Sequence, residues 1–157
     1  MDTLPLVEIA PKLIRLDSTD SIWEKTSGTD EIQFFLLGRQ SYHPVWELQK
    51  QLHAKRVSGE ISDVVLLVEH EHVYTFGKNA DNDYLLDTYP KPADIVKTDR
   101  GGQVTYHGPG QLIGYPIINL KTTGLGIRSY VSNIEQILMH VLYDYGINAS
   151  IKPGLTG

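Results

Sequence analysis

The chain contains no cysteine. That absence excludes a disulfide, a thiolate metal site and a cysteine nucleophile anywhere in its 157 residues. Long apolar runs are missing too: none approaches the ~20 residues that a membrane-spanning helix needs. Near the N-terminus, Asp2, Glu8 and Asp17 stand where a secretory leader would carry a basic stretch and an apolar core, and no Arg-rich, acid-poor transit pattern is present. A cytoplasmic protein that does not enter a membrane is the resulting expectation. Positive charge is also short. With 14 Lys and Arg against 19 Asp and Glu, the formal net charge is -5. This argues against nucleic acid as a partner, because phosphate binding needs a basic surface.

What is present is ordinary for a globular protein: 41% hydrophobic and 21% charged residues. Residues 1–30 show no sustained periodicity and hold turn-rich clusters at 18–21 and 26–30. They read as a loosely attached extension with one short strand near residues 13–16. An apolar run at 32–37 ends at Gly38, as a buried strand would. Ser41 is placed to cap a helix that tolerates Pro44 in its first turn. Tyr42, Val45, Leu48 and Leu52 follow helical spacing, and this helix stops before Gly59.

Strands are expected at 64–69, 73–76, 95–97 and 112–120, with turns at 79–83 and 90–92. Pro116 inside the last strand asks for an edge or a bulge. The clearest helix covers 127–145. Its Ile127, Tyr130, Val131, Ile134, Leu138, Val141, Leu142 and Tyr145 form one apolar stripe, read as core, with Gly146 at the C-terminal cap. A final strand is expected at 147–151. Two helices among this many strands imply an α+β fold, a mixed sheet with helices packed against one face, rather than a doubly wound nucleotide fold.

The segment RGGQVTYHGPGQ, residues 100–111, is the densest chemical feature. Gly101 and Gly102 remove side chains, so the backbone can lie against a ligand. Gly108-Pro109-Gly110 makes a second turn, and residues 104–107 between them have strand character. Alternation puts Val104 and Tyr106 on one side, Thr105 and His107 on the other. Free N–H groups there could bind a carbonyl or phosphate oxygen, and Arg100 a carboxylate or phosphate. The plain alternative is a hairpin connection without a ligand, in which Arg100 pairs with Asp99 or Asp94 and His107 is structural. Neither GxxxxGK[ST] nor GxGxxG is present.

The same twelve residues match the signature of the lipoate-biosynthesis octanoyltransferases residue by residue. The resemblance extends to Val68-Glu69-His70, to residues 73–77, to residues 115–120 and to Gly126-Ile127-Arg128 at the head of the long helix. It covers residues 34–157. It implies a catalytic domain similar to those of biotin and lipoate protein ligases, with residues 31–157 as the N-terminal part of one such domain, incomplete at its C-terminus. It further implies transfer of an octanoyl group from octanoyl-acyl carrier protein to a lysine of lipoyl domains, including those of 2-oxoacid dehydrogenases and the glycine cleavage H protein. No cofactor is implied, and a monomer is expected. By the match, Arg100, Gly101, Gly102, Gln103, Val104, Thr105, Tyr106 and His107 bind the substrate, with His107 near the reacting thioester.

The family's reaction runs through an acyl-thioester on a cysteine whose pKa a neighbouring lysine lowers. Its Lys-Ile-Ala-like, Pro-Cys-Gly-like and His-Gly-x-Ala-x-Asn-like segments have no counterpart in these 157 residues, and Lys152 does not stand in the lysine motif. No catalytic residue is therefore assigned. The chain is expected to be a fragment or a truncated relative that is inactive alone; a non-catalytic octanoyl- or lipoyl-binding module is the alternative. An ATP-dependent ligase needs a nucleotide site and a different arginine-glycine loop, and residues 105–110 argue against it.

Two other features stand out. His70-Glu71-His72 places histidines at i and i+2, on one side of a strand, as a metal pair would need, but polar residues in a turn explain it more simply. Tyr74 and Lys78 flank Gly77 and read as core and solvated residues; Lys78 could alternatively steer an acidic carrier protein.

Overall fold

A computed structural model gives the structure of the protein and describes residues 13–15, 22, 31–81, 83, 85 and 92–155. The turns expected at 18–21 and 26–30, Leu16 of the strand expected near 13–16, Asn82 of the turn at 79–83, and Pro90 and Lys91 of the turn at 90–92 lie outside the described residues. The chain divides into two units, residues 1–118 and 119–157.

The first unit holds two sheets. Strand β1 (Leu13–Arg15) runs parallel to β2 (Gln33–Gln40), β2 runs parallel to β3 (Val64–His70), and β7 (Ile113–Ile117) pairs antiparallel with β3. The order in this four-stranded sheet is β1-β2-β3-β7. A second, three-stranded sheet has β4 (Val73–Phe76) between β5 (Asp94–Lys97), parallel, and β6 (Val104–His107), antiparallel. The architecture is α+β with mixed sheets, as the element pattern implied.

Helix α1 (Tyr42–Ser58) connects β2 to β3 and buries Tyr42, Val45, Leu48 and Leu52, the four residues whose spacing predicted it. Three of them meet Phe35 and Leu37 of β2, Val64, Leu66 and Val68 of β3, and Ile117 of β7 in one core. Burying each such aliphatic side chain contributes about 1.5–3 kcal/mol. Ile22 is fully buried in the same core. With β1, it ties two points of the N-terminal extension to the sheet. Ser41 occupies the N-cap with extended backbone but its side chain makes no capping bond. At the other end, the Arg56 Nε–Asp63 Oδ1 pair, 2.6 Å apart and largely sheltered, fastens the last turn of α1 to the approach of β3.

Gly38 does not end β2. It takes φ +66 and sits in a register shift between Leu36 and Arg39, so the strand continues to Gln40. A left-handed glycine absorbs the extra residue of a bulge at little cost. Pro116 lies on β7 at the end of the described strand order, as its missing N–H requires.

In the second unit, Asn119 Oδ1 accepts from the Lys121 N–H and caps a four-residue helix, α2 (Leu120–Thr123), where the sequence suggested continued strand. Helix α3 (Ile127–Asp144) follows, with Gly146 at φ +75 after it. The strand expected at 147–151 is not formed; these residues have no ladder partner among the described residues. The apolar stripe of α3 is present, but the helix has no buried residue, so within its own unit the stripe is not core.

Candidate functional site

The loop at residues 100–107 is built against β4 from three directions. The first is the ladder: Phe76 pairs with Val104, Thr75 with Thr105, Tyr74 with Tyr106 and Val73 with His107. The second is backbone closure, with Gly77 N–H donating to Gln103 O (3.1 Å) and Lys78 N–H to Arg100 O (3.0 Å). The third is Arg100. Its Nη2 donates to Thr75 O (2.6 Å) and to Thr75 Oγ1 (2.8 Å), and its Nη1 donates to Gly101 O (2.9 Å). Thr75 is fully buried. No ion pair joins Arg100 to Asp94 or Asp99 among the described residues. Arg100 thus staples the loop to the strand, which neither the ligand-binding nor the surface-pair reading of this residue anticipated.

Gly77 makes that closure sterically possible. A Cβ there would overlap the carbonyl oxygen of Gly102 and lie 2.9 Å from that of Gly101. Gly102 has φ +80, and both Gly101 and Gly102 are exposed. No protein acceptor takes their amide hydrogens among the described residues. Two exposed, neighbouring N–H donors held by a fixed backbone can receive a developing or resting negative oxygen. Gln103 completes the loop, its Oε1 accepting from Asp81 N–H (3.3 Å).

Strand β6 sends its side chains two ways, as alternation required. Tyr106 faces Tyr74 (ring centroids 5.0 Å) and bonds His72 Nδ1 through its hydroxyl (2.5 Å). Thr105 and His107 lie with Thr75 and Val73, both buried. His107 Nδ1 pairs with Gln111 Oε1 (2.9 Å), and its ring lies parallel to that of Tyr42, centroids 6.5 Å apart. The second glycine turn is also tethered: Gly110 N–H donates to Glu69 Oε2 (3.0 Å), which Arg39 approaches at 3.6 Å.

Behind His107 stands His70, fully buried, with ring centroids 6.0 Å apart. His70 Nδ1 faces the carbonyl oxygen of Gln40 (3.0 Å), and Nε2 faces the hydroxyl of Tyr115 (2.9 Å). Burial pushes the His70 pKa below its ordinary value, against the opposing pull of the Gln40 carbonyl, and nearby His107 lowers it further. Burial likewise raises the pKa of Tyr115 and of Tyr42, with Arg100 acting in the opposite sense on both.

His70 and His72 do not act as a pair. His72 lies past the end of β3, is exposed and bonds Tyr106, while His70 turns into the interior. The structure therefore separates the two histidines that i, i+2 spacing had put on one side. Tyr74 is half-buried against Tyr106, and Lys78 is exposed.

Sequence reasoning missed Tyr42, His70 and Tyr115 as parts of this cluster. A signal existed for one of them. His70 continues the buried series Val64, Leu66, Val68 at period two, and a histidine in register with core residues needs polar partners inside.

Among known proteins, the model of the lipoyl protein ligase A/B catalytic domain matches residues 41–156. A protein named octanoyltransferase from Pseudarthrobacter chlorophenolicus is 45% identical over 119 residues, covering 74% of this chain and 50% of that protein. One of the same name from Methylococcus capsulatus is 43% identical, covering 78% and 58%. A third, from Vibrio cholerae, is 45% identical, covering 77% and 55%. The chain spans about half the length of the curated relatives it matches.

Proposed function

Since the chain belongs to the lipoyl protein ligase A/B catalytic-domain family, we propose that it carries the acyl-binding part of an octanoyltransferase of lipoate biosynthesis. The observation that bears most weight is the pair of exposed amides at Gly101 and Gly102, held in place by Arg100, Thr75 and the bare backbone of Gly77. In this reading the thioester carbonyl of octanoyl-acyl carrier protein lies against those amides. Residues 100–107 form one wall of the acyl site, with His107 at its inner end.

In the complete protein, a cysteine thiolate attacks that carbonyl and the carrier's thiol leaves. A lipoyl-domain lysine amine then attacks the resulting acyl-cysteine, forming the amide and releasing the cysteine. As negative charge develops on the carbonyl oxygen in either step, fixed N–H donors stabilise it without reorganising. These 157 residues have no cysteine, so the nucleophile must come from outside them. A reading frame that continues past Gly157 into Lys-Ile-Ala-like and Pro-Cys-Gly-like segments would supply it. The absent thiol equally favours a second reading, a non-catalytic module that binds octanoyl or lipoyl groups; a stop codon directly after Gly157 selects it.

Titration of the purified chain with octanoyl-acyl carrier protein tests the site. Saturable binding that unacylated carrier does not match is expected, and intact-mass spectrometry should show no covalent octanoyl adduct. Absence of saturable binding would overturn the acyl site. A covalent adduct would overturn the claim that the nucleophile lies elsewhere.

A further inference from the structure

Residues 108–111, just past the proposed acyl wall, form a turn with a single free donor. Gln111 N–H donates to Gly108 O (3.1 Å), and Gly110 takes φ +88. Proline at the second position and a left-handed glycine at the third define a type II turn. The amides of the two central residues have no partner inside such a turn, and Pro109 has no N–H. Gly110 N–H is therefore the one outward donor, and it donates to Glu69 Oε2 (3.0 Å). A carboxylate on β3 of the four-stranded sheet thus grips the turn that leaves β6 of the three-stranded sheet. On its other flank the turn has no slack. Gly108 is buried, and a Cβ there would overlap the Tyr106 hydroxyl that bonds His72 Nδ1.

The turn ends on Gln111, whose Oε1 lies 2.9 Å from His107 Nδ1. The ladder to Val73 fixes the backbone of His107 but not its ring. An amide oxygen only accepts, so Nδ1 carries the hydrogen, and in a neutral imidazole Nε2 is then a bare acceptor. That Nε2 makes no hydrogen bond among the described residues. Beyond Gln111, the ring meets the rings of Tyr42 and His70, with centroids 6.5 and 6.0 Å away.

We propose that Glu69 and Gln111 are positioning residues for His107: Glu69 sets the turn, the turn places Gln111, and Gln111 holds His107 as the Nδ1–H tautomer with Nε2 left free as an acceptor. The inference rests on the reading of residues 100–107 as an acyl wall. In such a site a free Nε2 can accept a hydrogen bond from an N–H donor, the class to which an attacking lysine amine belongs. Glu69 acts here as an acceptor for one backbone amide rather than through its charge, which Arg39 Nη2 already faces at 3.6 Å from the same oxygen. An uncharged acceptor of the same length should therefore replace it.

The test needs no ligand, so its failure is distinguishable from failure of the acyl site. Ring nitrogen shifts of the full 157-residue chain are read by NMR at about pH 9, where an ordinary histidine is neutral. Wild-type His107 should be chiefly the Nδ1–H tautomer. Gln111 is exposed, so its variants should fold. Gln111→Glu keeps an acceptor and should keep that tautomer. Gln111→Leu removes it and should shift the ratio toward Nε2–H by about threefold or more. Glu69→Ala should shift the ratio the same way, and Glu69→Gln should restore it, which a merely structural role for the charge would not predict. A wild-type His107 that is chiefly Nε2–H would overturn the proposal even if no variant folds. So would a wild-type ratio in Gln111→Leu or in Glu69→Ala. If Glu69→Ala does not fold, scalar coupling between the Gly110 amide nitrogen and the Glu69 carboxyl carbon in wild type decides its part, and absence of that coupling overturns the tether.

Discussion

Gly77 shows how much of the loop's shape depends on the absence of one carbon. A methyl group there would have to displace the carbonyl oxygens of Gly101 and Gly102, backbone atoms of which the first accepts from Arg100 Nη1. Overpacking costs about 1–3 kcal/mol where side chains can yield, and here no side chain is involved. Gly77→Ala is therefore expected to destabilise by about 3 kcal/mol, at the upper end of that range. It should also abolish saturable binding of octanoyl-acyl carrier protein under conditions where the chain remains folded. Urea denaturation and a binding titration on the same preparation check both parts, and unchanged stability would refute the close contact. The twelve-residue signature made the loop visible in the sequence. The dependence on Gly77 was not visible, because the clash is with residues 24 and 25 positions further on. Arg100 was likewise singled out in the sequence, but its bond to Thr75 was not legible there, because Thr75 is a neutral residue that no charge-pairing argument selects.

At the scale of elements, local pattern sufficed where an element buries its own apolar face. Helix α1 shows this, its four buried residues being those that periodicity picked out. Strands β4 and β6 have the bounds read from the sequence. Pattern failed where the outcome depends on a partner. The segment at 147–151 has strand composition but no ladder among the described residues, and the stripe on α3 is apolar but buries none of its residues fully. Amphipathicity states which face seeks burial and is silent on what supplies it. It failed also at Gly38, where the same glycine signal can end a strand or bulge it. The join between α1 and β3 adds an element-scale consequence. Arg56 and Asp63 are only 16% and 13% exposed, so removing one partner strands a sheltered charge. Asp63→Ala is expected to cost about 2–3 kcal/mol, in the range for hydrogen bonds to charged groups. The exposed Arg39–Glu69 pair, at 52% and 38%, should contribute no more than about 1 kcal/mol. Denaturation midpoints of Asp63→Ala and Arg39→Ala compared side by side decide whether shelter sets this ranking; equal losses would contradict it.

For the whole chain, the buried cluster contributes to how stability follows pH, and the signs can be worked out group by group. His70 has a folded pKa below its ordinary 6.5, chiefly through burial. As pH falls below 6.5, the unfolded chain takes up a proton that the folded chain refuses, so stability declines until the folded value is passed. Above 6.5 both states are neutral and this histidine adds nothing. Tyr42 and Tyr115 have folded pKa values raised above 10.0, again chiefly through burial. Above pH 10 the unfolded chain loses phenolic protons that the folded chain retains, so stability declines again as pH rises. A plateau between about pH 6.5 and 10 is the expected profile. Glu60, whose carboxyl is held below 4.5 by Ser58 and then Lys55, acts only at lower pH, its contribution fading as pH falls from 4.5. The histidine limb can thus be isolated from it. Unfolding free energies from urea titrations should show His70→Gln flattening the profile between about pH 6.5 and 5, and Tyr115→Phe shallowing only the limb above pH 10. If His70→Gln leaves the acid slope in that window unchanged, His70 does not set it, and the slope must come from groups outside the cluster.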